Sequence, residues 1–210
     1  VLHQWQGICY YKKKITITPE EAKKHIWIEF EGAMHLADVW INGKHVMQHA
    51  GGYTPFVVDA TGLLKTDKEN ELLVRLDNRN NSLIPPGKPL ETLDFCYYGG
   101  IYRNVHLIAK ADVHITHPIL DGHPAGAGIF ITYPKVSQEL SVVDAKTEIK
   151  NTSDKEKVVE LRHTLYTWKK QKGKDKKVQN ISETLTLHPG VTIENNQRCL
   201  LYTSDAADDL

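Results

Sequence analysis

Apolar and polar residues alternate along many short segments of this chain. Residues 25–30 place two isoleucines and Phe30 on one side of an extended backbone, and residues 142–151 alternate in the same way. Because successive side chains of a strand point to opposite faces, this period of two predicts half-buried β-strands. About seven short strands follow Ala111 without helical periodicity, which is typical of an immunoglobulin-like sandwich. The predicted fold class is therefore all-β.

Glycine-containing turns separate these segments. Asn42 and Gly43 lie between the strand-like residues 38–41 and 44–49. An Asn-Gly pair supplies the positive φ angles of a two-residue type I′ turn, so this region is predicted to be a β-hairpin. A second break at Gly99 and Gly100 precedes a predicted strand over residues 101–107.

The segment before that second break carries the candidate functional residue. Asp94 lies among aromatic residues, and a loop rich in proline and glycine, residues 82–89, leads directly to it. Prolines stiffen such a loop without pairing it into a sheet. Loops raised from a rigid β scaffold often display functional groups, so Asp94 is a candidate binding residue. An ordinary transition from loop to strand is the alternative.

Composition and charge exclude some partners. The chain has 210 residues, enough for one large β domain or two of ordinary size, and its formal net charge is zero. Zero net charge gives no general attraction to nucleic acid. No apolar run reaches the length of a membrane-spanning helix. Lysines cluster over residues 169–177, where Gly173 and Asp175 interrupt them, and we interpret them as a solvated turn. No nucleic-acid or membrane partner is predicted.

Cysteine and histidine usage predicts no metal site. Cys9, Cys96 and Cys199 are far apart and odd in number, which favours neither a disulfide framework nor a zinc site. The 11 histidines are scattered, and we expect them at the surface or on edge strands.

Five segments occur in a fixed order over roughly the first 110 residues. They are Gly-Ile-Cys-Tyr-Tyr at 7–11, the hairpin region at 28–32 and 37–43, Gly-Gly-Tyr-Thr-Pro-Phe at 51–56 with Asp-Ala-Thr at 59–61, Asn-Glu-Leu-Leu-Val-Arg-Leu-Asp-Asn at 70–78, and Gly-Ile-Tyr-Arg-Asn-Val at 100–105. This series resembles the N-terminal jelly-roll (galactose-binding-like) domain of glycoside hydrolase family 2, and is most similar to its β-galactosidases.

The resemblance implies a division of the chain. Residues 1–110 would form the jelly-roll sugar-binding domain, lacking its lead-in segment, and residues 111–198 an incomplete immunoglobulin-like β-sandwich. Residues 199–210 resemble a translated sequencing adapter and are expected to lie outside the fold. The family's catalytic barrel would follow these domains, but no alternating strand–helix units come after Val191.

The resemblance also implies a role without catalysis for this chain. Retaining glycosidases need two carboxylic acids roughly 5 Å apart, and in the family both are glutamates of the barrel. The pair Asn70 and Glu71 is similar to the family's acid/base motif but lies in a charged turn, so no catalytic residue is assigned. The expected function is that of a non-catalytic N-terminal fragment of a β-galactosidase that hydrolyses terminal β-galactosides.

Two residues are candidate substrate contacts, and the first of them is carried over from the family. Asp94 stands six residues before Gly100, where the family has an aspartate that contacts sugar hydroxyls and a nearby monovalent cation. Tyr97, with Tyr98, would offer a stacking face for sugar, and packing at a strand edge is the alternative. No cofactor or metal is expected in the fragment itself, and a divalent cation would belong to the barrel.

Two alternative functions remain open at this point. Jelly rolls also occur as free-standing carbohydrate-binding modules, and fold alone does not decide function. β-Glucuronidases and β-mannosidases of the family share the same scaffold. The expected partner is a carbohydrate, and the parent enzyme could be a homo-oligomer. The compartment stays open between the periplasm and cytoplasm of a bacterium.

Overall fold

The computed structural model describes residues 5–95, 97–122, 127–167 and 176–202. In these ranges β-strands dominate, and the all-β prediction is confirmed. The chain divides into two compact units, Val1–Ala111 and Asp112–Leu210. Among the described residues there is no helix long and apolar enough to cross a membrane.

The first unit is built from antiparallel strands. Its elements follow in the order β1 (Ile8–Ile15), α1 (Pro19–Ala22), β2 (His25–Phe30), β3 (Ala33–Met34), β4 (Leu36–Ile41), β5 (Lys44–Ala50), β6 (Phe56–Asp59), β7 (Asn70–Asp77), a 3-10 helix (Leu90–Thr92), β8 (Gly100–Ile101) and β9 (Val105–Lys110). One sheet has the order β1-β7-β4-β5 and the other the order β6-β2-β9, while β3 pairs with β8.

The two larger sheets bury one apolar core between them. Phe30 of β2 stacks on Phe56 of β6 with ring centroids 4.6 Å apart, and Val39 and Val74 approach from the other sheet. Every second residue of β7 from Leu72 onward is buried, as the alternation predicts. Burying each large apolar side chain contributes about 1.5–3 kcal/mol, so this shared core defines the sandwich.

The predicted hairpin is present, with β4 and β5 joined at Asn42 and Gly43. Their φ angles of 51° and 81° fit the type I′ turn. The Asn42 side chain donates to Asn70 Oδ1 at 2.9 Å and accepts from the Glu71 amide at 3.0 Å. The Asn70–Glu71 pair therefore joins the hairpin to the start of β7, which is a structural role.

The second unit contains two smaller sheets. Its strands are β10 (Val113–Ile115), β11 (Ile129–Val136), β12 (Leu140–Asn151), β13 (Lys157–Tyr166), β14 (Lys177–Leu187) and β15 (Thr192–Tyr202). β15 pairs along one edge of β12, and β10 and β11 share its other edge. The hairpin β13–β14 forms the second sheet. Apolar side chains between the sheets form its core, including Ile149, Leu161, Leu185 and Leu187.

A polar contact also links these two sheets. His163 of β13 hydrogen-bonds Gln197 Oε1 at 2.7 Å through Nδ1 and Thr147 Oγ1 at 2.9 Å through Nε2. Gln197 also donates to the Leu161 carbonyl at 3.3 Å. Each partner thus has its hydrogen bond inside the sandwich, as buried polar groups require.

The expectation that residue 199 begins a tail outside the fold is wrong for residues 199–202. β15 continues to Tyr202, and Cys199 lies opposite Val143. Cys199 is 5% exposed and Leu200 is 40% exposed, so the period of two persists. Long-range pairing with β12 stabilises this end of the strand. Residues 203–210, and most of the lysine cluster at 169–177, lie outside the described residues.

Gly100 occupies a position that no other residue fits easily. Its φ of +81° lies in the left-handed region, and β8 pairs it with Met34. A Cβ built there would collide with the hydroxyl of Tyr11. The glycine break in the sequence therefore reflects both backbone conformation and a close side-chain approach.

Replacing Cys199 tests the extended β15. We expect Cys199→Asp to lower the stability of the second unit by more than about 2 kcal/mol, because it buries a charge. Leu200→Asp is the matched control and should change stability by less than about 0.5 kcal/mol. Scanning calorimetry measures both. Equal effects of the two substitutions would contradict the assignment of residues 199–202 to the strand.

Replacing Gly100 separates backbone strain from steric contact. Gly62 has a φ of +71° and open space around its Cβ position, so Gly62→Ala should cost about 1–2 kcal/mol from strain alone. Gly100→Ala should cost about 2–4 kcal/mol, because the Tyr11 clash adds to the strain. Adding Tyr11→Phe should recover part of that loss. Denaturant titration measures each variant, and no recovery would show that Tyr11 is not the obstacle.

Candidate functional site

Several loops of the first unit meet around His35, which lies between β3 and β4. The His35 amide donates to the Asp77 carbonyl at 3.3 Å, and its own carbonyl accepts from the Gly51 amide at 2.9 Å. The Tyr97 hydroxyl reaches its Nδ1 atom from the segment that carries Asp94. His35 thus connects the loops after β5 and β7 with the candidate site segment.

Tyr97 and His35 form a largely buried neutral pair. His35 is 3% exposed, and its ring meets the Tyr97 ring edge-on, with centroids 6.0 Å apart. Burial raises the pKa of Tyr97 to about 12, and the nearby Tyr53 adds to this. Burial lowers the pKa of His35, although Asp77 opposes that shift. Both side chains are therefore uncharged near neutral pH.

Asp94 differs from Tyr97 in its surroundings. It is exposed in a bend, and within the described part of the chain its carboxylate has neither a hydrogen bond nor an ion pair. The following Phe95 is also exposed, and Cys96 lies outside the described residues. The structure places the two predicted contact residues on one segment, with Asp94 facing solvent and the Tyr97 hydroxyl directed inward.

Aromatic side chains surround an open cavity of about 460 Å³ beside this segment. We call it the aromatic cleft, and its lining consists of Trp5, Cys9, Tyr11, Asn78, Leu90, Tyr97, Tyr98, Gly99 and Gly100. Trp5 is 60% exposed and Tyr98 is 63% exposed. The negative face of an aromatic ring suits the weakly positive C–H groups of a sugar, so this lining can hold a sugar ring.

Asn78 builds one wall of the aromatic cleft. Its Oδ1 accepts from the Gly7 amide at 2.8 Å, and its Nδ2 donates to the Trp5 carbonyl at 3.0 Å. A Cβ at Gly99 would lie 2.8 Å from that same Nδ2 atom. The buried amide therefore positions Trp5 and needs glycine at position 99.

A polar cavity of about 260 Å³ lies beside His35. We call it the polar recess, and it is lined by His35, Leu36, Asp77, Arg79, Asn80 and Asn81. Arg79 donates to Asp77 through Nε at 2.9 Å and Nη2 at 2.6 Å. These hydrogen bonds hold the pKa of Asp77 below its usual range, with burial opposing them. The Asp77 carboxylate thus offsets the charge of Arg79.

Side chains of the polar recess also organise the loop that leads to Asp94. Asn80 Oδ1 accepts from the Leu90 amide at 3.0 Å, and Asn81 Oδ1 accepts from the Leu83 amide at 2.9 Å. Ile84 is buried beneath this loop. The segment at 82–89 is therefore an ordered excursion, because local asparagine turns satisfy its backbone.

Sequence reasoning missed His35, Trp5 and the recess residues. The expectation that histidines lie at the surface or on edge strands is wrong for His35, which is buried outside the strands. One signal was present, because His35 interrupts the apolar residues 33–37. Its burial depends on Tyr97, a partner 62 residues away, and no local pattern reveals such a contact.

The described residues do not assemble a metal-binding cluster. Among them, no three His, Cys, Asp or Glu side chains group in a way that could hold an ion. Asp94 offers one carboxylate, whereas hard cations take several oxygen ligands. Among the described residues, Asp94 therefore offers a single carboxylate to a cation beside it.

This sandwich, with its solvent-facing carboxylate and aromatic cleft, has the character of a carbohydrate-contacting domain. Residues 2–111 match the family model described as glycosyl hydrolases family 2, sugar binding domain. That range covers more than half of the chain, and the chain belongs to glycosyl hydrolase family 2.

Relatives with two different names match to the same degree. A β-glucuronidase of Bacteroides fragilis is 35% identical over 150 residues, and a β-galactosidase of Thermoanaerobacter pseudethanolicus is 35% identical over 151 residues. In both cases the match covers 70% of this chain and 20% of the relative. The chain thus spans about a fifth of the length of these relatives.

A solved structure extends the similarity to both units. The β-glucuronidase of Bacteroides uniformis matches with a TM-score of 0.77 and 29% sequence identity. The match covers 95% of this chain and 22% of that protein. The fold described above is therefore that of one part of a much longer family member.

The buried state of His35 predicts a pH-dependent stability. Its folded pKa is lowered, so the unfolded chain binds the proton first as pH falls below about 6.5. Stability from this group is full above that pH and is lost toward the lower folded pKa. We expect the thermal midpoint of the first unit to fall by several degrees between pH 7.5 and 5.5. The fall should be smaller in His35→Asn, and an equal fall would contradict the assignment.

Proposed function

We propose that this chain is a non-catalytic N-terminal portion of a retaining family 2 glycoside hydrolase, and that it contributes Asp94 to the sugar site. The exposed carboxylate of Asp94, without a partner in the described residues, is the observation that carries the proposal. The chain's share of about 20% of its relatives' length supports the larger parent enzyme.

The proposed role of Asp94 follows from two properties of its carboxylate. It is exposed to solvent, and it has no hydrogen-bond partner among the described residues. A carboxylate that only capped a loop would accept hydrogen bonds from nearby backbone amides, as Asp59 does from the Thr61 amide at 3.0 Å. Asp94 has no such bond among the described residues. Its two oxygens can accept from two adjacent sugar hydroxyls, and charged acceptors form stronger hydrogen bonds than neutral ones.

The proposed parent reaction is hydrolysis of terminal β-linked galactose with retention of configuration. This chemistry needs a pair of carboxylic acids roughly 5 Å apart, which we place in a part of the parent enzyme beyond these residues. A monovalent cation next to Asp94 also stays a prediction, with Asp94 supplying one ligand.

A β-glucuronide is the second candidate substrate. It is supported by the β-glucuronidase relative, which matches as well as the β-galactosidase. In the polar recess Arg79 is already paired with Asp77, so the recess gives no reason to favour an acidic sugar over a neutral one.

A carbohydrate-binding module is the alternative function from another class. The aromatic cleft favours it, because Trp5 and Tyr98 expose large ring surfaces beside a cavity of about 460 Å³. A module of this kind would bind glycans by itself. Titration of the 210-residue chain with galactose- and glucuronate-terminated oligosaccharides separates the two functions, because micromolar binding by the chain alone favours the module.

Asp94→Ala in the complete parent enzyme tests the proposed contact. We expect kcat/KM to fall roughly 30- to 150-fold, or about 2–3 kcal/mol of transition-state binding, with little change in thermal midpoint. The matched control is Asp59→Ala, which removes a loop cap and should cost about 1 kcal/mol of stability without a kinetic effect.

Aryl β-galactoside and aryl β-glucuronide serve as the two substrates, and the better one identifies the sugar. If Asp94→Ala keeps kcat/KM within threefold of the parent enzyme while the midpoint falls, Asp94 is part of the scaffold and the proposal is wrong.

A further inference from the structure

The segment between the 3-10 helix and β8 is held firmly at its two ends. At the start, the Leu93 amide donates to the Leu90 carbonyl at 3.2 Å. At the end, Gly100 pairs with Met34 in the small sheet formed by β3 and β8. The described residues between these points belong to no helix or strand. The position of Asp94 therefore depends on side-chain contacts made within this segment.

Tyr97 provides an inward contact of this kind. Its hydroxyl bonds Nδ1 of His35, whereas Asp94 and Phe95 face solvent. His35 is held in place, because its backbone is hydrogen-bonded to both Asp77 and Gly51 and its side chain is buried. The contact links a segment without regular structure to the ends of β5 and β7, which belong to the sheet of order β1-β7-β4-β5.

We propose that Tyr97 is a positioning residue that holds Asp94 in place through His35, and that its hydroxyl makes this contact and not one to the sugar. This inference rests on the proposed function for the role of Asp94. It assigns different tasks to adjacent tyrosines. Both rings line the aromatic cleft, where Tyr98 is 63% exposed, whereas the Tyr97 hydroxyl turns inward to His35 and anchors the segment.

Energetics support the anchoring role. His35 is buried and its hydrogen bond to Tyr97 is partly buried, and a polar group left without its partner in such a place is costly. The bond therefore persists in the folded state. A displacement of about 1 Å at a contact residue can cost on the order of 100-fold in rate, so an anchor three residues from Asp94 can matter for activity.

The first experiment measures the anchor in the 210-residue chain without any ligand. Backbone ¹⁵N relaxation should give order parameters near 0.85 for residues 94, 95 and 97–99 in the parent chain and below about 0.6 in Tyr97→Phe. Tyr10→Phe, which removes a hydroxyl from an exposed residue of β1 outside the aromatic cleft, is the matched control and should leave them unchanged. His35→Leu should reproduce the loss, whereas His35→Asn should retain part of the order, because its amide can occupy the position of Nδ1.

The second experiment is a double-mutant cycle on kcat/KM in the complete parent enzyme. Tyr97→Phe alone should lower kcat/KM about 5- to 20-fold, which is less than the loss in Asp94→Ala. In the Asp94→Ala background it should have no further effect, because a positioning residue acts only through the group that it positions. Tyr10→Phe again serves as the control for removal of a hydroxyl.

The outcomes separate this inference from the proposed function. Unchanged order parameters in Tyr97→Phe would overturn the anchor, whatever the role of Asp94. An equal loss of kcat/KM with and without Asp94 would show that Tyr97 contacts the sugar and would overturn the positioning role. If Asp94→Ala leaves kcat/KM unchanged while Tyr97→Phe lowers the order parameters of the segment, the proposed function fails and the anchoring role of Tyr97 remains.

Discussion

Strand β7 lies between β1 and β4, and polar side chains at both of its ends fix the loops around it. At its start the buried Asn70 accepts from Asn42 and donates to the Lys65 carbonyl at 2.8 Å. At its end Asp77 holds Arg79, and the following Asn78 holds Trp5 and Gly7. The site loops depend on this strand, because the polar recess and the aromatic cleft both begin at its last residues. A rigid central strand thus carries an irregular surface.

Local patterns were sufficient for much of this fold. The hairpin at Asn42 and Gly43 follows from turn chemistry, and alternation over residues 142–151 predicted all but the first two residues of β12. The end of β15 was missed because Cys199 owes its place to Val143, which is distant in sequence. For the site, glycine breaks marked the Asp94 segment. The contact between Tyr97 and His35 could not be predicted, because the sequence does not distinguish a buried histidine from an exposed one.

The candidate site combines two surfaces of different character. The aromatic cleft offers ring faces and buried amide groups, whereas the polar recess offers an ion pair that is largely satisfied within the protein. Asp94 lines neither of these surfaces, and its carboxylate accepts no hydrogen bond from the described residues. Under the proposed function these surfaces would contribute hydrogen-bond acceptors and ring faces to sugar binding, whereas hydrolysis needs a paired acid and nucleophile.

The hydrogen bonds from His163 to Thr147 and Gln197 help to determine the register of β13 in the second unit. Strand β13, which carries His163, buries only Leu161 among its described residues, so apolar burial alone distinguishes poorly between positions of this strand shifted by one residue. A one-residue slip would turn His163 away from both partners and leave polar groups inside the sandwich without hydrogen bonds. The hydrogen bonds among these three side chains therefore favour one alignment, and their main contribution is to make misaligned sandwiches unstable.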